Sequence, residues 1–545
     1  MSQSHDHQMM SFYKSLNDHL KVKAASYEGL AHKSLRLYQK GMAAYSKKKF
    51  TGSSFEAFTD KVTKSQIVYV GDFHTFDQSS KNFIRLLRFL KKQKKKMTIA
   101  VEFISSENQK SIDHYLEGMI TEIEFLEEID YKESWKFPWI HYRPIFDLAK
   151  KFNIQIIGLN SQGDLNKRDL HAAKILSEEI ASHPQHLILV LFGELHIVPD
   201  KLPAKVDSKL KKKSKKTILH QNLEEVFWRI PATKLSSKSS FWKINSDEFV
   251  LQNSPPWIKY ESMIYWYENL CDDPDFDLHE YILETGTKVF NSSVTDNFLY
   301  LSKMLNEALG LNLLPSDIED FNLYDLQSLH VITKKIKKLR NLKLEKFYND
   351  IIKNGRVFRI SFSKDYYCSH YTINRMTFLA GQHLFALKLF ENDPNLENEI
   401  FDEADNIKRF NFFLLQSLFS YYCSKLINPY RKCNHYIDFK QRLSLIQKRS
   451  LERKIIESTL DFMDNPEHVQ EKLKRMKWIE LFLIARHLGY SLGDIAYEKD
   501  IQHQTILESL KDIFSYSLDM NIYQELVKTI EPKKSQLKSK KKSLI

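Results

Sequence analysis

Between residues 66 and 192 the chain alternates short apolar runs with longer stretches in which apolar residues recur at helical spacing. Six apolar runs are predicted as β-strands, at 66–70, 97–103, 154–159, 186–192, 217–220 and 225–230. The stretch 79–92 places Phe83, Leu86 and Leu90 on one helical face. Strands that alternate with helices form βαβ units, so we predict an α/β domain with a mainly parallel sheet flanked by helices.

The pattern changes after Pro255 and Pro256, and the second half carries long helical stretches instead of alternating strands. These stretches are 296–309, 371–391, 407–426, 478–489 and 505–517. We predict a C-terminal all-helical domain. Because it contains no chemical motif, we expect it either to serve a structural role or to bind a protein partner. The predicted division is an N-terminal helical arm at 1–60, an α/β domain at 61–250, a linker at 251–272, a helical domain at 273–532 and a basic disordered tail at 533–545.

Charge adds little to this picture. Lys and Arg number 81 against 69 Asp and Glu, a formal net charge of +12, and the lysines cluster at 91–96, 209–216 and 533–542. No aromatic residues interleave these clusters, so we expect solvated loops and no specific nucleic-acid partner. The chain contains no apolar run long enough for a membrane span and no signal peptide at its start. Together with only four cysteines, this predicts a cytoplasmic protein.

Two of the cysteines, Cys368 and Cys433, each precede a histidine by two residues, His370 and His435. Thiolate and imidazole are zinc ligands, but C-x-H is not a usual spacing for a zinc site. The sequence therefore favours no metal at either pair.

Polar residues follow three of the predicted strands at the point where each strand ends. Gly71-Asp-Phe-His74 follows the first strand, Gly193-Glu-Leu-His196 follows the fourth, and Glu102 lies near the end of the second. A third match, Gly29-Leu-Ala-His32, falls in a helical pattern and is attributed to chance. Because carboxyl ends of parallel strands meet at one edge of a sheet, we predict that His74, Glu102 and His196 converge there.

Imidazole and carboxylate groups together suit Fe, Zn, Mn or Co, so these three residues are the predicted metal ligands. A metal ion lowers the pKa of a bound water and polarises a carbonyl, and Glu102, Asp72 and Glu194 are the candidate catalytic groups beside it. In the alternative interpretation, each histidine hydrogen-bonds a neighbouring carbonyl and Glu102 pairs with Arg143.

An aromatic segment at 133–144 and the end of the third strand supply a candidate ligand pocket. Its predicted lining is Trp135, Tyr142, Arg143 and Asn160. Aromatic rings beside an arginine suit a flat ligand or a carboxylate, although the same rings would also serve as core packing.

Taken in order, 71–74, 100–103, 115–118, 134–135, 142–144, Asn160 and 193–196 resemble the ChaN-like haem-binding uptake family. That family belongs to the Tiki superfamily, with TraB-like and Tiki-type proteins and erythromycin esterase-like enzymes. The resemblance implies haem binding, a role in iron acquisition, and active-site positions at His74, Glu102 and His196. Its haem ligand does not fall on a transferable motif, and Tyr115, Tyr131 and Tyr142 are candidates. Many members are lipoproteins, but the first cysteine here is Cys271, so no outer-membrane role is expected.

We therefore predict a ChaN-like protein that binds haem, iron or another divalent metal at a His/Glu site on the sheet edge. Its expected partner is a small molecule or haem. Two alternatives remain open at this point: a metal-dependent hydrolase of the Tiki or erythromycin esterase-like type, and an inactive scaffold that carries a helical interaction domain.

Overall fold

The computed structural model describes residues 2–28, 33–231, 234–235, 238–269, 292–326, 328–369, 371–401, 405–447, 450–503 and 505–530. The 533–545 tail, Cys271, His370, the Gly29–His32 motif and the end of the predicted linker lie outside these residues. The chain divides into two compact units. We call Ser15–Ile230 with Lys238–Leu278 the α/β unit, and Met1–Lys14, Pro231–Ser237 and His279–Lys541 the helical unit.

Eight strands of the described residues form one sheet in the α/β unit. They are β1 (Thr51–Ser53), β2 (Ile67–Asp72), β3 (Met97–Ser105), β4 (Gln155–Asn160), β5 (Leu187–Gly193), β6 (Lys216–Gln221), β7 (Ser240–Lys243) and β8 (Glu248–Gln252). Their order across the sheet is β1-β7-β8-β6-β2-β5-β3-β4. The six strands from β8 to β4 are parallel, and at the other edge β7 runs antiparallel between β8 and β1.

The helices described up to residue 269 are α1 (Ser2–Glu28), α2 (Lys33–Ala43), α3 (Phe55–Val62), α4 (Asp77–Lys92), α5 (Gln109–Glu117), α6 (Glu122–Glu128), α7 (Tyr131–Ser134), α8 (Arg143–Phe152), α9 (Leu165–Ser182), α10 (Leu202–Lys209), α11 (Glu224–Phe227) and α12 (Trp257–Asn269). Local chemistry fixes several of their ends. A capping box joins Thr121 and Glu124 at the start of α6, and Gly118, at φ +76°, ends α5 in the left-handed region.

Apolar cores cover both faces of this sheet, which explains the continuous apolar runs in its central strands. On one face, α4, α5 and α8 pack residues such as Phe83, Ile112 and Phe146 against β3 and β5. On the other face, Ala172 and Leu176 of α9 pack against Ile188 and Val190 of β5. The α/β architecture with a mainly parallel, helix-flanked sheet is confirmed.

One predicted strand of this unit is wrong. Residues 225–230 are not a strand, and α11 occupies Glu224–Phe227. The indole Nε1 of Trp228 donates to Glu224 Oε1 at 3.2 Å, a contact between residues four apart that a helical turn brings together. Two acidic residues at the start of α11 also suit the positive end of a helix.

The helices described after residue 291 are α13 (Ser292–Ala308), α14 (Pro315–Glu319), α15 (Leu329–Lys338), α16 (Leu342–Lys353), α17 (Ile373–Asn392), α18 (Leu396–Phe401), α19 (Asn406–Ile427), α20 (Tyr436–Leu443), α21 (Leu451–Asp464), α22 (Val469–Leu473), α23 (Trp478–Gln502) and α24 (Ile522–Ile530). Among the described helices of the chain, none is both long enough and apolar enough to span a bilayer.

The C-terminal half is helical, as predicted, but two details differ. It includes a small sheet of β9 (Asn322–Tyr324), β10 (Phe358–Arg359) and β11 (Asp365–Tyr367), so it is not all-helical. The predicted helix at 505–517 is also wrong, since only a 3₁₀ turn at Glu508–Leu510 forms there. Leu507 stands at φ +59°, which interrupts a helix, and its N–H donates to Tyr422 Oη at 2.8 Å.

Glycines allow α19 and α23 to pack closely in the helical unit. A Cβ at Gly489 would lie 2.8 Å from Leu414 O, and one at Gly493 would lie 2.7 Å from Leu418 O. Real Cβ atoms do not approach a backbone oxygen so closely, because cores are packed to van der Waals contact. The two glycines therefore set the distance between these helices.

Candidate metal and ligand site

Three adjacent strands bring the predicted site residues to one edge of the sheet. β5 lies between β2 and β3, and Asp72 of β2 is paired in register with Gly193 of β5. In β3, Val101 pairs with Gly158 but Ser105 pairs with Asn160, so four residue steps on β3 face two on β4. This bulge begins next to Glu102, and bulges re-aim side chains near strand ends.

The structure brings His74, Glu102 and His196 together. Glu102 lies between the two imidazoles, with Oε2 3.9 Å from His74 Nε2 and Oε1 3.9 Å from His196 Nε2. The side chains of Glu102 and His196 are only 3% and 6% exposed, whereas that of His74 is 25% exposed. The arrangement is therefore buried on the His196 side and accessible on the His74 side.

A buried carboxylate orients His74. Nδ1–H of His74 donates to Asp72 Oδ2 at 2.9 Å, and the hydroxyl of Tyr142 donates to the same oxygen at 2.8 Å. Burial alone lowers the pKa of His74, but Asp72 and the charge of Glu102 outweigh burial and leave that pKa raised. Burial and the Asp72 charge raise the pKa of Tyr142 well above 10, so its hydroxyl stays protonated as a donor.

His196 has an equivalent carboxylate. Its Nδ1–H donates to Asp169 Oδ1 at 2.5 Å. The other oxygen of Asp169 accepts from Lys205 Nζ at 2.8 Å and from the Tyr38 hydroxyl at 2.5 Å. Burial raises the pKa of Asp169, but these partners outweigh burial and leave the pKa lowered, so Asp169 is an ionised acceptor. Both histidines thus present Nε2 towards Glu102.

Glu102 is held by two donors of its own. The Gly193 N–H donates to Oε2 at 2.6 Å, and Arg168 Nη2 donates to Oε1 at 2.8 Å. Arg168 is held in turn by Asn160, whose Oδ1 accepts from Arg168 Nε at 3.0 Å. The interpretation that Glu102 pairs with Arg143 is therefore wrong, since Arg168 is the arginine that reaches this carboxylate.

The space between the three side chains depends on Gly193. A Cβ there would lie 3.1 Å from Glu102 Oε2 and 3.4 Å from both His74 Nε2 and His196 Cδ2. Any larger residue would fill the centre of the site. Steric exclusion therefore explains why the second Gly-x-x-His motif has a glycine at position 193.

Aromatic rings form a wall on the accessible side of His74. Trp135 and Phe137 lie 4.7 and 5.0 Å from the His74 ring, centroid to centroid. Trp266 of α12 stacks on Phe137 at 4.8 Å. Among the described residues, the buried Tyr131 hydroxyl and Trp139 Nε1 have no hydrogen-bond partner. Buried polar atoms are normally satisfied, so these two are exceptions.

Three predicted residues lie elsewhere. Glu194 turns away to Lys259 of α12, with Oε2 2.5 Å from Nζ. Arg143 is half-exposed and its Nε lies 2.8 Å from Glu122 Oε2, so its charge is used outside the site. Tyr115 donates to the same Glu122 at 3.2 Å and stacks on Phe125, which makes it a packing residue.

Sequence reasoning missed Arg168 and Asp169, which lie together in the second turn of α9. Asp164, rather than Asp169, caps the helix, and its Oδ1 accepts from Lys167 N–H at 2.8 Å. A detectable signal existed, because the helix that follows a strand begins at the same sheet edge where the strand ends. Charged residues in the first turns of α9 were therefore candidates for the site.

One comparison with known proteins agrees with this geometry. Residues 58–168 match the model of a family described as Haem-binding uptake, Tiki superfamily, ChaN. The match includes His74, Glu102 and Arg168, and it ends before His196. No curated protein and no solved structure matches the chain. Residues 58–168, within the α/β unit, are therefore ChaN-like and similar to the Tiki superfamily.

Proposed function

We propose that the ChaN-like domain binds a divalent first-row metal ion through Nε2 of His74, Nε2 of His196 and the carboxylate of Glu102. The supporting observation is the pair of orienting carboxylates, Asp72 and Asp169, each of which fixes Nδ1 of one histidine. Metal-ligating histidines in proteins typically donate their other ring N–H to a carboxylate or carbonyl in this way.

Each histidine lies at the spacing of a shared ion from its own oxygen of Glu102. A separation of 3.9 Å between each Nε2 and a Glu102 oxygen is too long for a hydrogen bond. Two donors that bind one ion with bonds of about 2.1 Å lie ~3.4–4.2 Å apart, depending on their angle. Imidazole and carboxylate ligands suit Fe, Zn, Mn or Co. Such an ion would supply an activated water or a polarised carbonyl, the chemistry of hydrolysis.

Haem is a second candidate ligand, and a specific observation favours it. His74 is the accessible histidine, its ring lies against Trp135 and Phe137, and the domain belongs to a family described by haem binding. His74 is also the only one of the two imidazoles with room for a large ligand, since His196 is 6% exposed.

Titration of the purified full chain separates these modes. Bound metal is first removed with a chelator. We then expect the wild type to bind one more equivalent of Mn²⁺, Co²⁺ or Zn²⁺ per chain than the double variant His74→Ala/His196→Ala. His114→Ala, which changes a histidine of α5 outside the site, is the matched control and should bind like the wild type. Equal stoichiometry in wild type and double variant would show that these residues hold no ion.

The single variants distinguish haem from a metal ion. An ion that needs both imidazoles is lost with either histidine, whereas haem ligated at His74 is lost in His74→Ala and kept in His196→Ala. Absorption spectra of haem titrations measure this difference. If the wild type takes up neither haem nor Zn²⁺, Mn²⁺, Fe²⁺ or Co²⁺, the binding proposal is wrong.

A further inference from the structure

A second cluster of metal-ligating side chains lies in the helical unit. Cys433 Sγ is 3.4 Å from His435 Nε2, and the same nitrogen is 2.8 Å from Asp494 Oδ2. All three donor atoms lie within 4.8 Å of one another. Cys433 and His435 come from the loop before α20, and Asp494 comes from α23, 59 positions further along the chain.

From this cluster we propose that the helical unit binds Zn²⁺ through Cys433, His435 and Asp494. Thiolate, imidazole and carboxylate are the three protein ligands that zinc uses. Around a tetrahedral ion with bonds of about 2.0–2.3 Å, sulfur and nitrogen ligands lie ~3.6 Å apart, close to the 3.4 Å found here. Nitrogen and oxygen ligands lie ~3.4 Å apart, so His435 and Asp494 separate slightly when the ion enters.

The supporting contacts around the cluster are those of a metal site. Ser491, three residues before Asp494 on α23, places Oγ 3.2 Å from His435 Nδ1 and so turns Nε2 towards the other ligands. The fully buried Lys425 places Nζ 3.0 Å from Asp494 Oδ1, while the other oxygen, Oδ2, faces His435 Nε2. Outer partners of this kind fix the orientation of ligands and are part of most metal sites.

Lys425 also fixes the ligand loop. Its Nζ donates to Pro429 O at 2.8 Å and to Arg431 O at 3.1 Å, two carbonyls of the loop that leads to Cys433. One buried ammonium therefore holds both the loop and Asp494, and it offsets part of the negative charge of thiolate and carboxylate. Cys433 is only partly buried, so the cluster is accessible on the side of its sulfur.

The spacing of Cys433 and His435 alone did not favour a metal, because C-x-H is not a usual zinc motif. Spacing along the chain does not predict Asp494 as a ligand, because it lies on a helix far away in sequence. The second C-x-H pair, Cys368 and His370, lies partly outside the described residues.

Co²⁺ is the probe that tests this site in the full chain. A thiolate ligand gives Co²⁺ a sulfur-to-metal charge-transfer absorption, and neither the His74–Glu102–His196 site nor the other described cluster, Glu179–His183–His186, contains a cysteine. We expect the chelated wild type to show this absorption on Co²⁺ addition and to lose it when Zn²⁺ displaces Co²⁺. His74→Ala/His196→Ala should keep it, which separates this proposal from the one above.

Variants complete the test. Cys433→Ser should abolish the absorption, and Ser491→Ala should weaken Co²⁺ binding by about 10–100-fold. Cys423→Ala, which removes a buried cysteine of α19, is the matched control and should keep the absorption. Far-ultraviolet circular dichroism checks that each variant is folded. A wild type without the absorption, or a Cys433→Ser variant that retains it, overturns the proposal.

Discussion

At the scale of single residues, Glu248 is the buried carboxylate with the clearest effect on acid stability. Burial raises its pKa, but His220, Tyr45 and Lys48 outweigh burial and lower the pKa from 4.5 to about 2. Its contribution to the free energy of unfolding is therefore complete above pH 4.5 and is lost as the pH falls towards 2. At neutral pH this contribution is about 3 kcal/mol.

We predict that Glu248→Gln is less stable than the wild type at pH 7 and that the difference disappears as the pH falls from 4.5 towards 2. Denaturant unfolding at a series of pH values measures it. Asp247→Asn is the neighbouring control, because Asp247 pairs with Lys61 at a partly exposed position where ion pairs contribute ~0–1 kcal/mol. A Glu248→Gln difference that stays constant across this range would contradict the assignment.

Asp169 gives a second residue-scale prediction, which rests on the proposed metal site. Asp169→Asn should weaken metal binding by about 10–100-fold, because an amide does not hold His196 as a charged acceptor does. Metal titration of the full chain measures this change. Asp164→Asn changes the same residue type on the same helix and preserves its cap, so it should bind like the wild type.

His74, Glu102 and His196 were predictable from sequence because each stands at the end of an apolar strand, where parallel strands meet. Among their supporting residues, Asp72 was predicted in the same way, whereas Arg168 and Asp169 were not. The helix α9 begins at Leu165, and this places Asp169 opposite His196. Glu102 pairs with Arg168 rather than with Arg143, because the pairing of charges depends on which helix reaches the sheet edge.

At the scale of elements, α12 occupies most of the segment that was expected to be a linker. Lys259, Ser262 and Trp266 contact Glu194, Thr75 and Phe137 respectively. We therefore propose that the α/β domain extends through α12 rather than ending at residue 250. The sequence did not reveal this helix, because its apolar residues occur around its whole circumference and give no amphipathic period.

Trp266 tests the role of α12. Its ring stacks on Phe137 and its Nε1–H donates to Lys136 O at 3.1 Å, so Trp266→Ala should lower the free energy of unfolding by about 1–2 kcal/mol. The aromatic wall beside His74 should loosen as well, which weakens haem uptake if haem binds there. Trp266→Phe keeps the stacked ring and should lose less than half of this stability in chemical denaturation. Equal losses in both variants would argue against stacking as the cause.

The close packing of α19 and α23 gives another prediction. Gly493→Ala should destabilise the protein by about 1–3 kcal/mol, because the added methyl group would lie 2.7 Å from the backbone oxygen of Leu418. The backbones of the two helices would have to move apart to relieve this contact. Gly41→Ala is the control. Its Cβ would have only ordinary contacts, at 3.7 Å and beyond, and alanine favours the helix α2, so stability should be unchanged or slightly higher. Thermal unfolding compares the two variants.

At the scale of the whole molecule, each of the two compact units has buried apolar residues of its own. We predict two calorimetric transitions, since units with separate cores unfold separately unless an extensive interface couples them. Glu248→Gln should shift one transition and Gly493→Ala the other. A single transition that both variants shift equally would show one cooperative unit instead.

A change of pattern near Pro255 and Pro256 predicts a division of the chain, but it does not predict which unit the first residues join. Periodicity shows that a segment is helical and amphipathic, and it does not show which core the apolar face joins. Met9 and Tyr13 looked like part of an arm before the α/β domain. In the structure, Met1–Lys14 belongs to the helical unit.

This membership has a consequence for synthesis on the ribosome. Tyr13 is fully buried, and its hydroxyl lies 3.4 Å from that of Tyr497, a residue made 484 positions later. At about 5–20 residues per second, roughly 25–100 s separate the two. The α/β unit emerges and can fold in that interval. Met9 and Tyr13 keep their apolar surfaces exposed until the rest of the helical unit has been made. The nascent chain therefore offers a chaperone a defined early binding segment, which disappears only when the last long helices are complete.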